Sequence, residues 1–146
     1  EREIALRKWT KITENAKKSL DFIIRWKGLV DGLLERRDHL KRMLERGVKI
    51  RAIVTEPKNT NAVNAIIEDL RKAGSYQIRY ALSPPQAVFS IVDRKQVLIN
   101  LVPTDLPYRT PSLFSSNFSL AAVIEEYFHI KWRISHKFPN GNKKCP

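Results

Sequence analysis

Apolar residues recur along the chain with two different periods, and these periods predict a succession of helices and strands. Apolar positions three or four residues apart predict amphipathic helices over residues 2–19, 28–47, 61–74 and 118–134. Short apolar runs rich in β-branched residues predict strands over residues 20–26, 48–56, 76–82, 87–93, 96–102 and 112–117. The predicted order is helix, strand, helix, strand, helix, four strands and a closing helix.

The helical spacing also groups apolar side chains into stripes along the helices. In the second helix one stripe comprises Leu29, Leu33, Leu40 and Leu44. The inward residues of the third helix are predicted to be Ala62, Ile66 and Leu70. The apolar residues at helical spacing in the closing helix are Leu120, Val123, Ile124, Tyr127 and Ile134. Gly47 and Gly74 are placed to end the second and third helices.

This order of elements predicts the fold class. A strand, helix, strand order that occurs twice implies parallel strands joined by right-handed crossovers. The later strands follow one another without helices and imply an antiparallel portion of the same sheet. We therefore predict an α/β fold, namely a three-layer α/β/α sandwich with a mixed, partly parallel sheet.

Length and cysteine content define the expected domain and its setting. The 146 residues suffice for one domain, which we place at 1–138, with a flexible tail at 139–146 and a first helix, 1–18, that serves as a linker or dimerisation helix. The chain begins at Glu1 without an initiator Met, so we expect a piece of a longer polypeptide or a trimmed one.

Cys145, the one cysteine, has no partner within the chain, which favours a reducing, cytoplasmic setting. No apolar run reaches the length that a membrane helix needs, so we expect no membrane association.

The charge is strongly positive, with 27 Lys and Arg against 15 Asp and Glu and a net charge of +12. Such an excess attracts polyanions, nucleic acid among them. The basic residues are spread along the chain and indicate no single binding face. Three explanations remain open: direct contact with nucleic acid, a soluble protein from a proteome rich in basic residues, and a basic domain balanced by acidic segments elsewhere.

Most motifs that carry chemistry are missing from the sequence. It contains neither a glycine-rich phosphate-binding motif nor a cysteine and histidine cluster with zinc spacing, so we expect no metal and no cofactor. His129 and His136 are spaced to share a face of the closing helix, but a third metal ligand is missing. Glu125 and Glu126 point apart on that helix and are expected to offset the nearby Lys131 and Arg133.

One pattern is more specific. The segments RGVKIRAIVTE, FSIVDRKQVLI and SLFSSNF, with the helices between them, resemble the phospholipase D-like superfamily over residues 8–132. Active members carry His-x-Lys, four residues, Asp, and then Gly-Ser-x-Asn. The resemblance implies that the histidine attacks phosphorus, that the lysine holds a phosphate oxygen, and that the serine and asparagine donate hydrogen bonds.

Carried onto this chain, the motif keeps its outline and loses its reactive pair. The aspartate falls on Asp93, and the serine and asparagine fall on Ser115 and Asn117. The nucleophile position falls on Gln86 and the lysine position on Val88. Glutamine is a poor nucleophile and valine has no charge, so the resemblance implies no catalytic residue and no hydrolysis of phosphodiesters.

Two interpretations of the remaining polar residues stay open. Asp93 is also an ordinary hairpin-turn residue, and Asn117 or Ser119 is also a suitable N-cap for the closing helix. Alternatively, Gln86, Ser115 and Asn117 floor a pocket for a small polar or anionic ligand. Residues 83–85 and the loop 103–111 would then frame its mouth, with Tyr108 and Arg109 able to close over the ligand.

Non-catalytic domains with this order of elements are similar to the C-terminal regulatory domain of archaeal TrmB-like transcription regulators. The resemblance implies an effector-sensing domain that forms a homodimer, with DNA bound by an upstream winged helix. Two alternatives remain, a phosphodiesterase or nuclease with a displaced nucleophile and a module that binds nucleic acid directly. Core or interface anchors are expected among the tryptophans Trp9, Trp26 and Trp132.

Overall fold

A computed structural model describes residues 2–102, 107 and 111–139, with side chains described from residue 5 onward. The described helices are α1 (Arg2–Glu14), α2 (Trp26–Glu45), α3 (Asn61–Ala73) and α4 (Phe118–Ile134). The described strands are β1 (Ser19–Arg25), β2 (Lys49–Thr55), β3 (Tyr76–Ala81), β4 (Phe89–Val92), β5 (Gln96–Asn100), β6 (Ser112–Ser115) and β7 (His136–Lys137). The predicted order is confirmed up to α4, and β7 follows it.

The strands form one mixed sheet in the order β6-β5-β4-β1-β2-β3-β7. Strands β1, β2 and β3 are parallel, because α2 and α3 carry the chain back between them. The pairs β1–β4, β4–β5, β5–β6 and β3–β7 are antiparallel. The predicted α/β fold with a mixed, partly parallel sheet is therefore confirmed. Strand β7 has two residues, too few to leave a periodic pattern in the sequence.

Helices cover both faces of the sheet. Helices α1, α2 and α3 pack on one face around a large cluster that includes the predicted stripe Leu29, Leu33, Leu40 and Leu44. Of the described helices, only α4 packs on the other face, where Ala121 and Phe128 meet Ile23, Ile53 and Ile91. The chain thus forms three layers, with α4 as the outer layer of the second face.

The rotation of α3 differs from the prediction. Ala62 is exposed, whereas the buried residues of this helix are Val63, Ile66, Ile67 and Leu70. These four follow the spacing i, i+3, i+4 and i+7 of one helix face, and they remove more apolar surface from water than a face containing Ala62. The prediction for Ala62 is therefore wrong, and those for Ile66 and Leu70 are confirmed.

Glycines end both α2 and α3, for different reasons. Gly47 has a φ of 94°, in the left-handed region that glycine tolerates. Gly74 has extended backbone, but a Cβ there would lie 2.9 Å from the carbonyl oxygen of Leu44. Gly74 therefore lets the end of α3 approach the end of α2.

Within the described ranges, no helix is both long enough and apolar enough to cross a membrane. The loop predicted at 103–111 is described at Pro107 and Pro111, and of the tail predicted at 139–146 only Pro139 is described.

Candidate functional site

The five described candidate residues lie at two opposite ends of the strands. One end has Gln86 and Val88, and the other has Asp93, Ser115 and Asn117. Gln86 and Val88 precede β4, whereas Asp93 follows it. Ser115 pairs with Val97, which in turn pairs with Ile91. Val88 and Ser115 are consequently separated by about 10 Å along the strands and by about 10 Å across them. The predicted pocket floored by Gln86, Ser115 and Asn117 is therefore not formed. Tyr108 and Arg109 lie outside the described residues.

Asp93 holds the start of β1 in place. Its carboxylate accepts hydrogen bonds from the backbone N–H groups of Lys17, Lys18 and Ser19 at 2.7–3.1 Å. Asp93 and Arg94 have φ values of 55° and 58°, which form the tight turn between β4 and β5. Partial burial raises the pKa of the Asp93 carboxyl, but the three backbone donors outweigh it and the pKa is lowered. The backbone of Asp93 thus fits the turn interpretation, and its side chain binds the start of β1.

Ser115 and Asn117 directly precede α4 and stabilise its N-terminus. The Asn117 side-chain Oδ1 accepts a hydrogen bond from the backbone N–H of Leu120 at 3.0 Å. The Ser115 hydroxyl accepts one from the backbone N–H of Asn117, also at 3.0 Å. Asn117, rather than Ser119, is the N-cap, and the capping interpretation accounts for both side chains.

Val88 is the buried member of the set. It is 3% exposed and lines an apolar cavity between the sheet and helices α1 and α2. The β5 residue Asn100 donates its backbone N–H to the Val88 carbonyl at 2.9 Å, so the β-ladder continues past the end of β4. The position that the resemblance gives to a phosphate-binding lysine therefore holds an apolar side chain in apolar surroundings.

Gln86 lines a different pocket, a groove on the α4 side of the sheet. The groove has a volume of about 280 Å³ and lies beyond the carboxyl ends of β2 and β3. Its polar lining residues are Thr55, Ser83, Gln86, Tyr127, Lys131, Ser135 and His136. Open α/β sheets bind ligands at this edge, next to the point where the strand order reverses. Here the reversal lies at β1, which pairs with β2 on one side and with β4 on the other.

The groove combines a cation with hydrogen-bonding groups. Lys131 lies 5.5 Å from the Tyr127 ring and supplies a positive charge. The Thr55 hydroxyl is buried and has no hydrogen-bond partner among the described residues. A buried hydroxyl without a partner costs stability, so it is a site that a ligand can satisfy. This arrangement suits a small anion that also has hydrogen-bonding groups.

The sequence did not indicate that three residues of the groove, Thr55, Lys131 and His136, belong to one site. Thr55 and Lys131 lie on elements that were predicted, but neither has a motif around it. His136 was placed on the closing helix, whereas the helix ends at Ile134 and His136 pairs with Tyr80 in the sheet. This pairing places His136 in the groove together with Gln86. A strand of two residues leaves no sequence pattern, so the pairing could not have been predicted.

A charged cluster lies between α4 and the sheet, toward the ends of the strands opposite the groove. Arg51 pairs with Asp21 at 2.8 Å and lies 3.6 Å from Glu125, which also lies 3.4 Å from Arg94. His129 Nε2 is 2.9 Å from Glu125 Oε1 but lacks hydrogen-bond geometry, and neither Glu125 oxygen accepts a hydrogen bond from the described residues. The prediction that Glu125 offsets Lys131 and Arg133 is wrong, because Glu125 faces the sheet.

Burial is the largest influence on the pKa of Glu125, and a hydrogen bond is the largest influence on that of Arg51. Burial, and then the nearby Asp21 carboxylate, raise the pKa of Glu125, while His129, Arg51 and Arg94 offset part of the effect. The hydrogen bond to Asp21 raises the pKa of Arg51 and keeps the guanidinium charged. Across the described ranges, no group of three or more His, Cys, Asp or Glu side chains is placed to hold a metal ion. The cluster is thus an ion-pair network between a helix and the sheet.

Comparisons with known proteins agree with this architecture. No protein-family model and no curated protein sequence matches the chain. Among solved structures, the chain is similar to TrmBL2, an archaeal chromatin protein with a novel mode of DNA binding. The TM-score is 0.71 at 20% identity, over 92% of this chain and 50% of that one. This chain therefore spans half the length of TrmBL2.

Two proteins of similar length are also similar in structure. NucT from Helicobacter pylori has a TM-score of 0.67 at 13% identity, over 94% of this chain and 93% of that one. Nuc from Salmonella typhimurium, a phospholipase D family member, has a TM-score of 0.66 at 15% identity, over 90% of this chain and 88% of that one. At these identities the likeness concerns the fold. The chain therefore has a phospholipase D-like fold, with the TrmBL2 chromatin protein and the phospholipase D family members Nuc and NucT as structural neighbours.

Proposed function

We propose that this chain is a non-catalytic phospholipase D-like domain that senses a small anionic or polar effector within a DNA-associated regulator. The observation that carries the proposal is the replacement of the reactive pair by Gln86 and Val88. The two side chains line different pockets on opposite faces of the sheet. A neutral amide is a poor nucleophile, and a buried valine provides no charge for a phosphate oxygen.

The effector site in this proposal is the groove beside Gln86. Lys131 attracts an anion, and the Gln86 amide and the Thr55 hydroxyl provide hydrogen bonds to its oxygens. The unpartnered Thr55 hydroxyl supports a ligand with an acceptor or a donor at that point. We expect binding without turnover, because the groove holds charge and hydrogen bonds but no motif nucleophile.

The regulatory part of the proposal depends on the likeness to TrmBL2 and on the net charge of +12. DNA would be bound by another part of a longer chain, and two copies of this domain would set the spacing of the DNA-binding parts. An effector that favours one arrangement of the pair then changes the affinity for DNA.

A thermal-shift titration with inorganic phosphate tests the effector site. We expect phosphate to raise the Tm of the wild-type chain saturably, because a ligand that binds only the native state stabilises it. The Lys131→Gln variant should lose most of this shift. The matched control is Lys72→Gln, which removes an exposed lysine from α3 and should retain the shift. Equal shifts in the two variants would contradict a specific site at Lys131.

One observation favours the enzyme alternative, namely that His136 lines the same groove as Gln86. A histidine there has the chemistry of a displaced nucleophile. Incubation with bis(p-nitrophenyl) phosphate, for the wild type and His136→Ala, distinguishes the two. We expect no release of nitrophenol by either chain. Release by the wild type that is lost in His136→Ala would support the enzyme.

The positive charge also favours direct binding of nucleic acid as an alternative. Fluorescence anisotropy with labelled duplex DNA at increasing salt measures it. Tight binding by this chain alone, weakening steeply with salt, would support the alternative, since each phosphate contact releases counterions. The effector-sensing proposal expects weak binding by this chain.

A further inference from the structure

A second cavity lies on the face of the sheet opposite the groove. Helices α1 and α2 cover it, and strands β4 and β5 form part of its floor. Its interior has a volume of about 60 Å³. The apolar residues that line it include Trp9, Phe22, Leu29, Leu33, Val88 and Leu98. Its surface therefore suits an apolar group more than an anion.

Two glycines of α2 leave this space open. Gly28 and Gly32 are one helical turn apart, and both line the cavity. A Cβ on Gly32 would have no atom within 4 Å, so no close approach requires glycine there. Glycine inside a helix is less favourable than alanine, yet the sequence places one where a larger side chain would fit. The space is thus a consequence of the sequence of α2.

Two of the polar side chains that line the cavity come from widely separated strands. Tyr76 on β3 and Asn100 on β5 both line it, although their strands are about 19 Å apart across the sheet. Tyr76 is 3% exposed, and its hydroxyl has no hydrogen-bond partner among the described residues. Asn100 already donates its side-chain amide to the Pro107 carbonyl at 2.8 Å. The Tyr76 hydroxyl is therefore a buried donor that is available to an added molecule.

We propose that this cavity binds a slender amphiphile, an alkyl chain with one oxygen acceptor. The chain lies between α2 and the sheet, along Gly32 and Val88, and the oxygen accepts a hydrogen bond from Tyr76. This site goes beyond the proposed function, because it is separated from the anion groove by the sheet and uses none of its polar residues. Val88 then lines an apolar binding site at the position where the resemblance places a lysine.

The straight-chain alcohols n-butanol, n-hexanol and n-octanol are suitable probes. The chain has three tryptophans, so three indole N–H signals report on binding by NMR. Of the three, Trp9 lines the cavity, and Trp26 and Trp132 are internal controls. We expect the Trp9 signal to move saturably while the other two stay in place. Affinity should increase about fourfold for each added methylene until the chain fills the space.

Variants at Gly32 provide the matched comparison. Gly32→Leu should fill the cavity and abolish the Trp9 response, whereas Gly32→Ala removes the same glycine and should retain it. Ser90→Leu fills the space from the sheet and replaces Gly32→Leu if that variant does not fold. Tyr76→Phe should weaken hexanol binding severalfold. The proposal is overturned if Trp9 does not respond, if all three indoles move together, or if the filled and unfilled variants respond alike. None of these results depends on whether phosphate binds.

Discussion

The Asp93 carboxylate accepts three backbone N–H groups at the start of β1, from a turn residue with a φ of 55°. An asparagine at this position would keep the size of the side chain and tolerate the backbone conformation, but it would lose the charge and one acceptor oxygen. We expect Asp93→Asn to lower the free energy of unfolding by about 1–2 kcal/mol at neutral pH. Urea denaturation measures the change.

Two comparisons at Asp93 separate charge from backbone strain. Asp93→Ala should cost about 1 kcal/mol more than Asp93→Asn, because alanine is less tolerant of positive φ. The pKa of Asp93 is lowered, so its stabilisation is present above the ordinary value of 3.8 and is lost as the pH falls through the lower native value. The wild type and Asp93→Asn should therefore converge in acid. A difference that persists unchanged there would show that the charge is not involved.

Helix α4 is attached to the sheet by apolar packing, and the Glu125 carboxylate is buried between them. The pKa of Glu125 is raised, chiefly by burial. At pH values between the ordinary pKa of 4.5 and the higher native pKa, Glu125 is ionised in the unfolded chain but protonated in the native chain. The free energy of unfolding therefore falls as the pH rises through this range. We expect Glu125→Gln to be as stable as the wild type at pH 7, or more stable by up to about 1 kcal/mol.

The neighbouring residue is the control for this prediction. Glu126 is exposed on the same helix, and Glu126→Gln should change the unfolding free energy little. The advantage of Glu125→Gln should disappear below about pH 4, where the wild-type carboxyl is protonated in both states. A loss of about 2 kcal/mol or more in Glu125→Gln at pH 7 would show that the contacts with Arg51, Arg94 and His129 outweigh burial.

The sequence predicted most elements, because each long one has a clear period and a clear end. The bounds of α4 follow from its apolar spacing and from Asn117 as its cap. The candidate site was harder to predict, because the direction of each strand decides which residues lie close together. Ser115 follows the motif in sequence, but β5 and β6 carry it to the edge opposite Gln86. His136 enters the groove only through β7, whose two residues have no pattern.

At the scale of the whole molecule, α4 has a second apolar face. Val123, Ile130 and Ile134 are 62%, 47% and 67% exposed, and they share one stripe along the helix. We propose this stripe as the homodimer contact, since a stripe on one helix can pack against its own symmetry copy. Light scattering should show a dimer for the wild type and a monomer for Ile130→Asp. Leu34→Asp alters an equally accessible residue on α2 and should remain dimeric, and a monomeric wild type would contradict the assignment.

Under the proposed function, this phospholipase D-like domain binds a phosphate-like ligand at the Gln86 groove without turning it over. The ³¹P NMR spectrum of methyl p-nitrophenyl phosphate, recorded with the protein, reports binding and hydrolysis in the same sample. We predict a diester resonance that broadens saturably with the wild type, remains sharp with Lys131→Gln, and yields no phosphomonoester. A phosphomonoester resonance that appears with the wild type and disappears with His136→Ala would contradict the claim.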